Sequence, residues 1–343
     1  MKKILQDLSQ TFGPSGKEEE VLNKVRGYFK RAGLEVKTDK LGDIWGIRRG
    51  KSNKILMIEA HMDEIALMVS GFEGMGFLRF TNIGGFDHKI FPGLEVMVHG
   101  KKKLHGIITS IPPHLQTGDS KVAWKKDELL VDTGLPDEII RTQVCIGDYI
   151  SLPKNFIELK NSRVAGTSFD NRIGVTLLCD IAQKLKKQPE FTVVFASTFG
   201  EEVGLRGGIV SSYNISPDLG ICFDGSFGDF PGQKDTSTKL GGGPIISIGP
   251  AYHPILVEVL KATAKKSKIK IQEEIEPRPG GTHAGMIQLS KTGVGVAGIS
   301  VPLRSMHTCV EVADLNDLKC TSELVTKFIY SLKPDIVERL KCY

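Results

Sequence analysis

Two histidines and five carboxylates stand at or beside the ends of apolar runs in this sequence, and such groups, brought together, do metal-ion chemistry. His61 and Asp63 follow the run 54–60. Two residues apart on an extended segment, their side chains share a face, which suits one as a ligand and the other as the carboxylate that fixes its tautomer. Glu201 and Glu202 follow the run 191–197. Adjacent carboxylates repel unless cations or protons relieve them, and they point in different directions. One can therefore ligate an ion while the other stands free as a general base. Asp224 follows the run 219–223, His307 follows a run ending near Ser300, and Asp170 lies in Ser168-Phe169-Asp170-Asn171-Arg172 ahead of a helical pattern. Each feature has a plainer alternative: a surface His-x-Asp, a solvated acidic turn, an N-cap at Asp170, a turn at Asp224. Ligands in open α/β sheets bind outside the carboxyl ends of strands, so the shared position favours the metal. A glycosidase pair is disfavoured, because its two carboxyls flank a sugar at about 5 to 9 Å and sequence neighbours seldom do.

The elements that must position these groups can be read from periodicity. Ile4, Leu5, Leu8 and Phe12 recur at helical spacing up to the breaker Gly13-Pro14, and Ser15-x-x-Glu18 reads as a capping box opening a second helix. That helix carries Val21, Leu22, Val25 and Phe29 on one face and ends near Gly33. Residues 54–60 are nearly continuously apolar, as in a strand buried on both faces. The pattern recurs at 191–197, 219–223 and 294–300, with helical stretches at about 171–187, 253–267 and 314–332. The expected fold is α/β, a mixed sheet with helices on both faces. Residues 67–160 differ, with short Val/Ile-rich runs punctuated by Gly84-Gly85, Pro92-Gly93, Gly100 and Pro112-Pro113. They are expected to form a small all-β domain inserted into a domain built from 1–66 and 161–343.

Composition narrows the partners. Among 343 residues, 45 Lys and Arg against 40 Asp and Glu leave a net charge of +5, without the basic stripe that nucleic acid requires. No apolar run is long enough to span a bilayer. The start Met1-Lys2-Lys3-Ile4-Leu5-Gln6-Asp7 has no apolar stretch behind it, so the cytoplasm is the expected address. Cysteines 145, 179, 222, 309, 320 and 342 form no Cys-x-x-Cys pair and read as reduced thiols. Gly241-Gly242-Gly243 and Gly280-Gly281 lack the context of a phosphate loop. Of the other histidines, His99 and His105 fall in the inserted region, His88 and His114 in its turns, and His253 at a helix start. His283, in the loop Gly280-Gly281-Thr282-His283-Ala284-Gly285, falls near the presumed pocket.

In order and spacing, His61-Met62-Asp63-Glu64-Ile65, Asp170-Asn171-Arg172, Glu201-Glu202-Val203-Gly204-Leu205-Arg206-Gly207, Asp224, and His307 with Glu311-Val312 resemble the TET and glutamyl-aminopeptidase-like family of dinuclear metallo-aminopeptidases. Some members of that family carry an endoglucanase label. The resemblance spans nearly the whole chain. It implies two divalent ions per subunit, zinc or cobalt: His61 and Asp224 on one, Glu202 and His307 on the other, and Asp170 bridging them. Asp63 would orient His61, and Glu201 would be the base for a water bridging the ions that attacks the N-terminal peptide bond. It also implies a cis peptide at Asp170-Asn171, peptide substrates, and dimerisation through residues 67–160, with dodecamers among relatives. Thr282-His283-Ala284 stands where the family usually reads Thr-Asp-Ala, and Phe199-Gly200 where a polar residue is commoner before the Glu pair. These departures bear on substrate preference: a histidine in place of an acid would either weaken any preference for basic side chains or tune selectivity in another way. The alternatives are a related zinc deacylase or carboxypeptidase and a catalytically silent assembly subunit.

Overall fold

The computed structural model describes residues 1–110, 124–232, 238–278 and 281–340; Pro112-Pro113, His114, Gly280 and Cys342 lie outside the described residues. Its amino-terminal helices form where the apolar period places them. α1 (Lys2–Ser9) buries Ile4, Leu5 and Leu8, and α2 (Glu19–Arg31) buries Val21, Leu22, Val25 and Phe29. The expected capping box is absent: α2 begins at Glu19 without a side-chain cap, and the Ser15 hydroxyl donates to Asp63 Oδ2 at 2.6 Å. A hydrogen bond to a charged carboxylate is about twice as strong as a neutral one, so the distant acid takes the hydroxyl that the local pattern had reserved.

β1 (Glu35–Thr38), β2 (Ile44–Arg48) and β3 (Ile55–His61) then enter the main sheet. From there the chain leaves to build a closed barrel from β4 (Ala66–Phe72), β5 (Leu78–Ile83), β6 (Glu95–His99), β7 (Lys103–Thr109), β8 (Leu130–Asp132) and β9 (Tyr149–Ser151). The barrel has its own core, which includes Leu67, Leu78, Phe91, Val98, Ile108, Val131 and Ile150. A short helix, α3 (Asp137–Gln143), lies between β8 and β9, started by Pro136 and two acids in its first turn. β10 (Phe156–Glu158) leaves the barrel to pair with β11 (Arg163–Gly166).

The rest of the chain returns to the α/β layers through α4 (Phe169–Lys184), β12 (Thr192–Thr198), α5 (Arg206–Ile215), β13 (Leu219–Phe227), β14 (Ile245–Ile248), α6 (Pro254–Ser267), β15 (Gln272–Ile275), α7 (His283–Gln288), β16 (Gly295–Leu303), β17 (Glu311–Asp314), α8 (Leu315–Ser331) and α9 (Ile336–Arg339). The eight-stranded sheet has the order β1-β2-β12-β3-β13-β16-β14-β15. Its centre, β12, β3, β13 and β16, is parallel; β1–β2, β2–β12 and β14–β16 pair antiparallel. α4, with α1, α2 and α8 against it, covers one face, and α5 and α7 pack together on the other. The mixed sheet with helices on both faces is therefore what the apolar runs predicted. Every residue of β12 is buried, as a strand covered on both sides requires.

Candidate metal centre

Four parallel strands aim their carboxyl ends at one place. His61 is the last residue of β3 and lies opposite Thr198, the last residue of β12. Beyond Thr198 the chain turns sharply through Gly200 (φ +59°) and Gly204 (φ +119°), and the Gly204 and Leu205 N–H groups donate to the Glu201 carbonyl. This knot fixes the Glu201-Glu202 pair. Asp63 fixes it again: Oδ1 accepts the Glu201 N–H at 3.0 Å and Oδ2 the Glu202 N–H at 3.2 Å. The same Oδ1 lies 3.3 Å from His61 Nδ1, so one carboxylate, held by Ser15, sets both the imidazole and the acidic pair.

Asp224 lies inside β13 and not after it, because residues 225–227 stay paired with residues 301–303 of β16. Asp170 is not an N-cap. Its backbone (φ −78°, ψ 108°) departs from the helix at the start of α4, and the Asp170–Asn171 peptide bond is cis. The neighbouring residues of that motif explain its position. Asn171 Nδ2 donates to the Phe223 carbonyl at 2.8 Å, tying the segment to β13 beside Asp224. Arg172, fully buried, donates to the carbonyls of Leu8, Thr11 and Gly13, and its Nη2 lies 3.6 Å from Glu64. Glu311 completes the frame, its two oxygens accepting the N–H groups of Asp170 (3.1 Å) and His307 (2.8 Å). His307 takes a left-handed φ of +61° to reach inward.

The side chains so placed converge. Asp170 Oδ1 lies 3.4 Å from His61 Nε2, and Oδ2 lies 3.3 Å from His307 Nε2. Asp224 Oδ1 is 3.8 Å and Glu201 Oε2 3.9 Å from His61 Nε2, while Glu202 Oε1 is 3.5 Å from His307 Nε2. The sequence candidates thus fall into one group, with the Asp170 carboxylate between the two histidines. His61, Asp170 and Glu202 present ligand atoms within 4.8 Å of one another, as do His61, Glu201 and Asp224. All of these line a cavity of about 500 Å³.

With only protein groups to compensate, the carboxylates are crowded. Burial pushes Glu201 up to about 7 and Asp224 up to about 6, and burial with the Asp170 charge pushes Glu202 well above its usual value. Glu311 is pushed up to about 8, by burial first. His307, drawn by Asp170, rises to about 9. Asp170 is the exception: the two imidazoles overcome burial and hold it low. Its buried Oδ1 nevertheless has no hydrogen-bond partner. An orphaned buried carboxylate oxygen among acids and imidazole nitrogens is a fitting donor set for divalent cations of the zinc type.

Sequence reasoning missed several participants. Ser15 reads as a helix cap in the sequence, yet its hydroxyl holds Asp63. Glu311 sat behind His307 without a role. Glu59 gave a usable signal: a lone acid in an apolar strand must find buried partners. His283, read as a pocket residue, is buried behind the site, with Nδ1 2.7 Å from Glu59 Oε1 and its ring 6.2 Å from that of His61. The substitution therefore does not alter the cavity wall directly; Thr282 lines the cavity instead.

The fold is shared with solved aminopeptidases. The TET aminopeptidase from the marine sediment archaeon Thaumarchaeota archaeon SCGC AB-539-E09 superposes with a TM-score of 0.94 at 30% identity, covering 99% of this chain and 98% of that one. The TET1 peptidase of Pyrococcus horikoshii, which can assemble into a tetrahedron or a large octahedral shell, superposes at 0.86 with 30% identity over 96% and 99%. Fold and site together define an aminopeptidase, a hydrolase acting on peptide bonds. The lysyl aminopeptidase of Pyrococcus furiosus is 34% identical over 97% of each chain. The chain belongs to the M42 glutamyl aminopeptidase family, whose sequence pattern matches residues 42–324.

Proposed function

We propose that this aminopeptidase holds two divalent ions per subunit, zinc or cobalt, on His61, Asp170, Glu202, Asp224 and His307. The observation that carries the reading is the Asp170 carboxylate, one oxygen toward each histidine. Bound there, the ions would polarise the scissile carbonyl and acidify a water. Glu201 is the general base: it stands at the cavity on a backbone clamped by Asp63, takes a proton from the attacking water and returns it to the leaving amine. Asp63 positions His61 and the acidic turn. The free α-amine of the peptide would face one of the ions and the carboxylates that hold it, which restricts attack to the first bond.

The test is release of the first residue from matched free and N-acetylated peptides, with chelated protein and with zinc or cobalt restored. Metal-dependent cleavage of the free set alone is expected; equal cleavage of the acetylated set would favour a deacylase. Glu201→Gln should retain both ions and lower kcat by about 10²- to 10⁴-fold. A near wild-type rate would remove Glu201 from the role of base.

We further propose a homo-oligomer built from dimers, up to a dodecamer, joined through the β-rich region 67–160, where Ile107, Ile139 and Ile146 expose apolar surface. Sedimentation of the intact protein tests this. The cytoplasm suits the five free thiols among the described residues, and no described helix is long and apolar enough to cross a membrane.

A further inference from the structure

The cavity has an acidic wall that neither the ion ligands nor the base accounts for. Glu274, on β15, and Glu276, just beyond it, are two residues apart, turn to one side and line the same cavity as His61 and Asp224. Glu273, just before them, is exposed and pairs with Lys261 at 2.8 Å. Glu274 is held in place from the metal centre itself: Ser226, two residues after Asp224 on β13, donates to Glu274 Oε2 at 2.6 Å. Tyr252 donates to Glu276 Oε2 at 2.7 Å. Among the described residues, no Lys, Arg or His pairs with either acid.

The charge balance gives this wall a meaning. Two divalent ions would offset the four carboxylates Asp170, Glu201, Glu202 and Asp224, leaving Glu274 and Glu276 as surplus negative charge at the cavity. Burial first, and the Glu276 charge after it, hold Glu274 above its usual value, so the two acids repel at close quarters. A cation arriving from solution relieves that repulsion. In an aminopeptidase the α-amine is engaged at the ions, so the cation that reaches the wall belongs to the first side chain. Leu205 and Met306, also on the cavity, offer apolar surface to the methylenes of such a side chain.

We propose that Glu274 and Glu276 form the pocket for the first residue and select peptides that begin with Lys or Arg. This rests on the aminopeptidase reading of the site and assigns its substrate class. The experiment compares kcat/KM for the p-nitroanilides of Lys, Arg, Leu and Glu with zinc- or cobalt-restored protein. Lys and Arg are expected to exceed Leu by about tenfold or more, with Glu slowest, as charge pairing in a partly buried pocket implies. Glu274→Gln and Glu276→Gln should each lower the Lys-to-Leu ratio by about tenfold, while Glu273→Gln, on the outer side of β15, leaves it unchanged. A wild-type preference for Leu or Glu, or a ratio unmoved in both variants, overturns the assignment while leaving the aminopeptidase reading intact. Metal-independent behaviour, or no cleavage of any of the four, overturns both.

Discussion

Two buried clusters, one around a single acid and one with several, share the ends of the same strands and behave in opposite ways. In the inner one, Glu59 Oε1 lies 2.7 Å from His283 Nδ1 and accepts from Thr198 Oγ1 at 2.6 Å, and Oε2 accepts from Cys222 Sγ at 3.0 Å. Burial alone would raise Glu59, but His283 above all, then Cys222 and Thr198, bring it below its usual value, and Glu59 in turn raises His283. In the outer one, Glu201, Glu202 and Asp224 are all pushed upward. The inner acid has been given a cation by its own chain; the four outer carboxylates, Asp170, Glu201, Glu202 and Asp224, share only the imidazoles of His61 and His307, and that shortage is what makes them a site. A buried charge is tolerated when paired and hydrogen-bonded and costly when left alone.

Chelation should separate the two clusters most sharply. It is expected to abolish activity, and restoring ions at about a thousandfold excess over their dissociation constant should raise folding stability by about 4 kcal/mol, measured by denaturant titration. A protein equally stable with and without ions would leave the outer cluster in no need of them. The next largest effect is a difference in sign. Glu59→Gln leaves a buried His283 without its counter-charge and should cost about 3 to 5 kcal/mol. Glu202→Gln in chelated protein removes one of several competing acids and should be neutral or stabilising by about 1 kcal/mol. Equal losses in the two variants would erase the distinction between the clusters.

The same distinction explains what could be read in advance. The apolar runs gave the sheet strands and the helices between them, because a buried strand excludes polar residues from a continuous stretch, and the ligands were legible because they interrupt or end those runs. The inner cluster was not legible in the same way. Glu59 pairs with His283 across 224 positions, and no local period reports such a contact. Ser15 misled for the complementary reason: Ser-x-x-Glu is a good local pattern, and a distant carboxylate outcompeted it. β15 escaped the sequence reading altogether, since Gln272–Ile275 is a short edge strand with three polar residues among its four, and with it went Glu274 and the cavity wall.

Ser15 also gives a smaller test of how the outer cluster is held. Ser15→Ala removes one donor from Asp63, which keeps the Glu201 and Glu202 N–H groups, so a cost of about 1 kcal/mol and a severalfold loss of kcat with little change in KM are expected. A loss as large as that of Glu201→Gln would mean that Asp63 does more than position its neighbours.

The smallest effect extends the contrast to a group that its surroundings satisfy only when neutral. His99, on β6, stacks on Phe12 of the amino-terminal segment with ring centroids 4.0 Å apart, and its Nε2 lies 2.8 Å from Ser151 Oγ. Burial first, then the Lys103 and Lys154 cations, pushes its pKa down to about 4, with Glu64 opposing them. The unfolded chain therefore takes up a proton near pH 6.5 that the folded protein refuses until about pH 4. Stability from this group is complete above pH 6.5 and is lost as pH falls through that window. Because the ring is partly exposed, solvent screening keeps the loss small, about 2 °C in Tm. His99→Phe keeps the stacking on Phe12 without the titration, so its Tm should fall less than the wild type's between pH 7 and pH 4.5. Equal falls would show that the joint between the barrel and the amino-terminal segment does not sense the proton.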